Sequence, residues 1–288
     1  MTEQPAGAAG GAPNEIPYLR PHPGAALFER RAVRLRALAD GHAMADFLRF
    51  CAALSAAQAS AAVALDIPLE SVAPSAERPL REAVMGRDEW HAALRLIADE
   101  LHDARMPEAA RGGLARAAAM GPEALRGVAT QLLSGDAGGL DLAVAPFVGA
   151  ALQVEYVTLA AQLLASGVMR SERACPACGA PPVAGVVLGD DKLRYLGCSL
   201  CASQWHLPRV TCSRCRSTAG ISYYSLDGGP GGVKAEVCDS CHGYLKLFYI
   251  EQRPAAEPMA DDLATRALDL LVAERGYSGT GVNLFLVA

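Results

Sequence analysis

Eight of the nine cysteines fall into four Cys-x-x-Cys pairs within a stretch of 67 residues. The pairs are Cys175/Cys178, Cys198/Cys201, Cys212/Cys215 and Cys238/Cys241. A Cys-x-x-Cys turn holds two thiolates close enough to bind one ion, and two such turns make a tetrahedral sulfur site. The sequence therefore predicts two four-cysteine metal sites with these eight residues as ligands.

The gaps between successive pairs are 19, 10 and 22 residues. Joining the first pair to the second gives a spacing typical of zinc and related sites. Joining the third pair to the fourth gives a slightly longer loop, and the glycine-rich stretch 227–232 accounts for the additional length. Sequential pairing is the simpler interpretation, and an interleaved arrangement, first with third and second with fourth, stays open at this stage.

Disulfides and a thioredoxin-like redox pair are the alternatives for these cysteines. Disulfides need an oxidising compartment, and the N-terminal residues do not have the basic-then-apolar order of a signal peptide. A thioredoxin-like site uses one Cys-x-x-Cys, whereas this chain has four. Metal binding is therefore favoured, and the isolated Cys51, in an apolar helical pattern, is predicted to be a buried core thiol.

Tetrathiolate sites suit both zinc and iron, and the turn from Cys175 to Gly179 occurs with either metal. Four thiolates leave no open position for a substrate. The chain has no phosphate-binding glycine loop, nucleophile elbow or His-Glu-x-x-His, so no enzyme is predicted. His206 and His242 are expected beside the sites or at the surface, and His91 and His102 on a solvated helix face.

The composition excludes a strong general attraction to nucleic acid. The 288 residues carry a formal net charge of −5, with 51% hydrophobic and 20% charged residues. Residues 171–250 hold eight Lys or Arg and six Asp or Glu. Two tetrathiolate sites, each contributing −2, would bring that region to about −2. We therefore expect no nucleic-acid partner, since phosphate contacts dominate such affinity.

The predicted fold class is α+β, with four regions. Residues 1–15 are expected to be a disordered tail. Residues 16–170 show helical spacing of apolar residues and predict a bundle of about six helices. Residues 171–250 predict two tandem rubredoxin-like or zinc-ribbon units, whose strands are expected at 183–188, 194–197, 221–226, 233–237 and 244–250.

Residues 251–288 are expected to form a proline-bearing linker, a C-terminal helix and a tail. Asp261 and Asp262 are predicted to cap that helix, and Gly276 to end it. No run of 18 residues is free of strongly polar groups, so we expect no stable membrane insertion and a cytoplasmic location. The sequence leaves a homodimer open.

The cysteine region resembles the FdhE family of formate dehydrogenase accessory (formation) proteins. The motifs that carry the resemblance are Cys175-Pro-Ala-Cys-Gly179, Arg194-Tyr-Leu-Gly-Cys198, Cys201, Trp205-His206, Arg209, Cys212, Cys215, Tyr223-Tyr224-Ser-Leu226, Lys234-Ala-Glu236, Cys238, Cys241, Tyr244-Leu-Lys246, Ala260-Asp-Asp-Leu-Ala264 and Leu268-Asp-Leu-Leu271. The N-terminal half is similar more loosely, through Tyr18-Leu-Arg20-Pro21 and Arg34-Leu-Arg-Ala-Leu38. Near the C-terminus, Leu284 stands where the family pattern suggests proline.

The resemblance implies a cytoplasmic, non-enzymatic assembly factor for the catalytic subunit of respiratory formate dehydrogenase. It also implies iron in the two rubredoxin-like sites, with zinc as the other candidate. Trp205, Tyr223 and Tyr224 are candidate aromatic anchors of a docking surface, although core packing is the plainer role for the tyrosines. The competing functions are a rubredoxin-type electron carrier and a zinc-ribbon nucleic-acid binder.

Overall fold

The computed structural model describes residues 16–69, 79–135, 138–166, 174–229 and 231–286. The predicted tail, 1–15, lies outside the described residues. The helices are α1 Ala26–Ala39, α2 Ala45–Ala64, α3 Pro79–Met85, α4 Glu89–Glu100, α5 Glu108–Ala119, α6 Pro122–Ser134, α7 Ala145–Ser166, α8 Pro258–Leu263 and α9 Arg266–Glu274. The strands are β1 Pro182–Leu188, β2 Leu193–Cys198, β3 Gln204–His206, β4 Ile221–Tyr224, β5 Val233–Cys238, β6 Gly243–Tyr249 and β7 Ser278–Gly279.

Helix α7 forms the centre of the helical half and contacts α2, α3, α4, α5 and α6. Pro146 lies in its first turn, where a missing N–H leaves no hydrogen bond unmade. Cys51 on α2 is 0% exposed, which confirms the predicted core thiol. His91 on α4 is only 3% exposed and contacts the ring of Trp90, so its predicted solvated position is wrong.

Helices α2 and α7 are long and apolar enough to cross a membrane by length and composition. Their most apolar 18-residue windows are 50% and 78% buried within the protein. A helix whose apolar residues pack on other helices in this way is typical of a protein core.

The strands form one sheet among the described residues, in the order β3-β2-β1-β6-β5-β4, with β7 beside β6. Each predicted strand is present within a few residues of its expected bounds, and β3 and β7, which are short, were not predicted. The parallel pairing of β1 with β6 joins the two cysteine-bearing halves, with Ala184 opposite Lys246. The α+β class is confirmed, and the two units share a single sheet.

The chain before α1 extends this sheet at the β3 edge. Leu19 forms an isolated bridge with Trp205, and the His206 N–H donates to the Tyr18 carbonyl at 2.7 Å. The Arg20 N–H donates to the Gln204 carbonyl at 3.0 Å. The N-terminal segment therefore fixes the start of the helical half against the sheet.

The predicted cap of the C-terminal helix is wrong. Helix α8 begins at Pro258 behind Glu257, whose carboxylate accepts from the Ala260 N–H at 2.8 Å. Asp261 and Asp262 lie inside the helix and are buried. Their carboxylates form tertiary ion pairs, Asp261 with Arg34 at 2.6 Å and Asp262 with Lys246 at 2.8 Å. These ion pairs hold α8 between α1 and the sheet.

Candidate metal centres

The first cluster consists of Cys175, Cys178, Cys198 and Cys201, whose sulfur atoms all lie within 4.8 Å of one another. Two of them lie in the turn before β1, and the other two at and after the end of β2. The Sγ atoms of Cys175 and Cys201 are 3.3 Å apart, and those of Cys178 and Cys198 are 3.5 Å apart. All four cysteines are at most 4% exposed.

Backbone hydrogen bonds shape the two turns of this cluster. The Gly179 N–H donates to the Cys175 carbonyl at 2.9 Å, and glycine suits the positive φ of 74° at that position. The Cys198 N–H donates to the Ser203 carbonyl at 3.0 Å. The Cys201 N–H points at the Cys198 sulfur at 3.4 Å, a contact that stabilises a thiolate.

The first cluster is fastened to the helical half. Gln153 on α7 donates from Nε2 to the Ser199 carbonyl at 2.5 Å. The Leu80 N–H on α3 donates to the Ala177 carbonyl at 3.4 Å, and His22 Nε2 donates to the Cys201 carbonyl at 2.7 Å. An ion in this cluster would therefore cross-link the interface between helices and sheet.

The second cluster consists of Cys212, Cys215, Cys238 and Cys241, with sulfur atoms again within 4.8 Å of one another. The Sγ–Sγ distances are 3.6 Å for Cys212 and Cys241 and 3.7 Å for Cys215 and Cys238. The N–H groups of Arg214 and Cys215 point at the Cys212 sulfur at 3.3 and 3.4 Å. Cys215 and Cys241 are partly exposed, so this cluster lies nearer the surface than the first.

Both clusters fit a tetrahedral ion. With a metal–sulfur bond of about 2.3 Å, tetrahedral sulfurs are roughly 3.8 Å apart. The observed Sγ–Sγ distances of 3.3 to 3.7 Å need only a small expansion. The structure brings the pairs together sequentially, first with second and third with fourth. Four thiolates suit zinc and iron alike, so the two groups could hold metal ions of either kind.

The protein environment sets the protonation of the free thiols. Burial raises the pKa of Cys178 and Cys201 in the first cluster well above the ordinary thiol value. In the second cluster, a hydrogen bond from the Ser217 N–H lowers the pKa of Cys215 to about 7, whereas burial raises that of Cys241 to about 12. Because metals bind thiolates, ion binding would release protons from both clusters.

Arg194 links the two clusters, a role that its sequence motif did not predict. Its guanidinium is buried and donates to the carbonyls of Leu207, Pro208 and Thr211 at 3.2, 2.7 and 2.7 Å. It also donates to the Glu236 carboxylate on β5. A single arginine in an apolar strand, followed four residues later by a ligand cysteine, is the sequence signal that could have indicated it.

The three candidate aromatic anchors differ in how deeply their side chains are buried. Trp205 is 1% exposed, so the prediction that it anchors a docking surface is wrong. Tyr223 is half-buried and donates to Glu236 at 2.9 Å, whereas Tyr224 is half-buried beneath the Arg275 guanidinium, 4.9 Å away. His206 is half-buried against Tyr195, and neither it nor the exposed His242 belongs to a sulfur cluster.

Comparison with known proteins accounts for the whole described chain. Family models match residues 16–172 (FdhE, N-terminal), 174–209 (FdhE, central domain) and 210–286 (FdhE, C-terminal domain). The chain is 40% identical to a "Protein FdhE homolog" of Stutzerimonas stutzeri over 90% of this chain and 89% of that protein. It is also 40% identical to a "Protein FdhE homolog" of Pseudomonas aeruginosa over 96% of this chain and 94% of that one.

A solved structure agrees with these relatives. The crystal structure of the FdhE protein from Pseudomonas aeruginosa superposes with a TM-score of 0.80 at 35% sequence identity, covering 94% of this chain and 99% of that one. The resemblance inferred from the cysteine motifs is therefore confirmed, and it extends through the helical half as well. This chain belongs to the FdhE family.

Proposed function

We propose that this chain is a cytoplasmic, non-catalytic assembly factor that binds the catalytic subunit of respiratory formate dehydrogenase and assists its maturation. The observation that carries the proposal is the coincidence of FdhE family matches across 16–286 with two complete four-cysteine clusters. In this proposal, residues 16–170 supply binding surface, residues 171–250 hold the metals, and 251–288 join the two. A homodimer stays a prediction.

All eight clustered cysteines are proposed as metal ligands, with iron favoured over zinc by the family resemblance. A tetrathiolate iron can exchange one electron, whereas zinc has no redox chemistry. The residues around the first cluster support a structural role for its ion, because Gln153 and His22 bind the cysteine turns from the helical side. The ion would fix the angle between helices and sheet.

An electron carrier is the second candidate function. The observation that favours it is the partial exposure of Cys215 and Cys241, which would bring an iron in the second cluster near a redox partner. The helical half argues for the assembly role, since electron transfer from a small sulfur site does not require a bundle of this size. The carrier alternative predicts a reversible iron couple that exchanges electrons with a reductase.

Affinity purification tests the proposed function. A tagged copy is purified from formate-metabolising cells of its own source, and the proteins that accompany it are identified by mass spectrometry. We expect the formate dehydrogenase catalytic subunit, and its loss in a Cys175→Ser/Cys212→Ser double variant. Recovery of a reductase or of nucleic acid, without any formate dehydrogenase, would overturn the assembly role and favour the alternatives.

A further inference from the structure

A groove of about 700 Å³ separates helix α1 from the sheet. Its floor includes Val186 and Leu188 on β1 together with Ile250, and its far wall is the segment 254–259. Four prolines line it: Pro21, Pro23, Pro254 and Pro258. The groove reaches Cys198, a member of the first cluster. We call this feature the α1 groove.

The α1 groove carries more positive than negative charge. Four arginines and two glutamates line it: Arg20, Arg30, Arg31, Arg34, Glu29 and Glu257. Arg31 and Glu257 form an ion pair with each other, in which Arg31 Nε lies 3.1 Å from Glu257 Oε2. Arg34 shares the Asp261 carboxylate with Arg253. The site therefore retains an excess of guanidinium charge.

Arg20 and Arg30 carry most of this excess. Arg20 donates to the neutral amide of Gln204 at 2.6 Å. Arg30 is exposed and has no hydrogen-bond or ion-pair partner within the described ranges of the chain. Arg20 and Arg30 both line the groove, and burial, with a smaller contribution from the positive charge of Arg30, lowers the pKa of Arg20. The remaining acid in the lining is Glu29, so Arg20 and Arg30 leave the groove with one net positive charge, which favours binding of an anionic group.

We propose that the α1 groove binds an extended acidic peptide segment of the partner subunit, with carboxylates against Arg20 and Arg30 and an apolar side chain on the floor. This inference rests on the proposed function and names the surface that would perform it. The volume lies within the range of sites that enclose a ligand, and an apolar floor with charged rim residues is typical of peptide grooves. A segment bound there would lie beside the first cluster.

The groove is formed from parts that the first cluster and the buried ion pairs hold in place. Gly197 and Cys198 belong to β2, whose end the cluster fixes. Glu257 is held by Arg31, and Asp261 by Arg34 and Arg253. Because these contacts form the walls before any partner arrives, little ordering free energy is lost on binding.

Binding measurements with matched variants test the proposal. The full metal-loaded chain is titrated with the purified formate dehydrogenase catalytic subunit. Arg30→Glu reverses a rim charge, and Ala26→Trp fills the groove from an exposed position at the start of α1. Each substitution is expected to weaken binding and to raise Kd by about tenfold or more. Arg36→Glu, an exposed position on the same helix outside the groove, is the control and should keep the wild-type Kd.

Photo-crosslinking identifies the bound segment. p-Benzoylphenylalanine replaces Val33, which is 58% exposed and lines the groove, or Val63, which is 85% exposed and lies outside it. The Val33 probe should capture a segment of the subunit with at least two acidic residues flanking an apolar one. The Val63 probe should not capture that segment.

The outcomes separate the two proposals. If the wild-type chain binds the subunit and both groove variants bind it equally well, the groove assignment is wrong and the assembly function stands. Capture of a basic segment, or of the same segment from Val63, also overturns the groove assignment. If the wild-type chain does not bind the subunit at all, both proposals fail. Thermal melts of each variant separate lost binding from lost folding.

Discussion

Arg194 on β2 and Glu236 on β5 form a buried ion pair between the two cysteine-bearing parts of the sheet. Their side chains are 0% and 3% exposed. Arg194 also holds three carbonyls of the connection 207–211, and Glu236 accepts from Tyr223. One guanidinium therefore helps, together with the pairing of β1 with β6, to set the relative position of the two sulfur clusters.

Arg194→Met should destabilise the protein strongly, because it leaves the Glu236 carboxylate and three carbonyls buried without their donor. Removing one partner of a buried pair costs about 3–5 kcal/mol in the free energy of unfolding. Replacing both residues, as Arg194→Met/Glu236→Leu, should cost less than the sum of the two single changes. Urea unfolding of the metal-loaded single and double variants measures these free energies. A loss in the double variant equal to the sum of the two single losses would contradict the coupling.

Cys175→Ser and Cys212→Ser should have unequal effects. Each is expected to lower bound metal by about one ion per chain, because one ligand of four is lost. Cys175→Ser should lower Tm more, since the first cluster is fully buried between α3, α7 and the sheet, whereas the second has two partly exposed members. Elemental analysis and thermal melts check both points, and unchanged metal content would overturn the ligand assignment.

Gly113→Ala should be far more harmful than the neighbouring Gly112→Ala. A Cβ at Gly113 would collide with the Ala143 carbonyl, whose carbon would be only 2.6 Å away. At Gly112 the nearest atom is the flexible end of Arg116, at 3.4 Å. Alanine at Gly112 should stabilise α5 by up to about 1 kcal/mol. Thermal unfolding of the two variants measures the contrast, and similar melting temperatures would contradict it.

Glu155 should make stability fall as pH rises from about 4.5 to 7. Burial raises the pKa of this carboxyl from its ordinary value of 4.5 to about 7, outweighing Arg87, whose Nε lies 2.8 Å away. The folded state holds the proton more tightly than the unfolded state, so the stability from this group is full below about pH 4.5 and lost through pH 7.

The raised pKa of Glu155 corresponds to a loss of about 3 kcal/mol in the free energy of unfolding between pH 4.5 and pH 7. Glu155→Gln removes the titration and keeps an acceptor for the Trp90 N–H, which Glu155 binds at 2.8 Å. The difference in free energy of unfolding between wild type and Glu155→Gln should therefore drift in favour of the variant from pH 5 to pH 8. A constant difference across that range would show that Glu155 keeps an ordinary pKa.

The sequence by itself determined the features that depend on local spacing. Each Cys-x-x-Cys turn places its own two sulfurs, so the eight clustered cysteines were evident without a structure. The apolar periods of 3.6 and 2 predicted a helical region at 16–170, five of the strands and the buried position of Cys51.

The tertiary structure decided what depends on residues far apart in the chain. Sequential cluster pairing follows from the antiparallel pairing of β1 with β2 and of β4 with β5. The single sheet requires the parallel contact of β1 with β6, which no local pattern specifies. Strand β3 is three residues long, too short to show alternation. Asp261 and Asp262 have the residue type of a helix cap, yet Arg34 and Lys246 bind them instead. Burial of Trp205 and His91 likewise depends on neighbours that only folding supplies, because desolvation and ion pairing are properties of the packed chain.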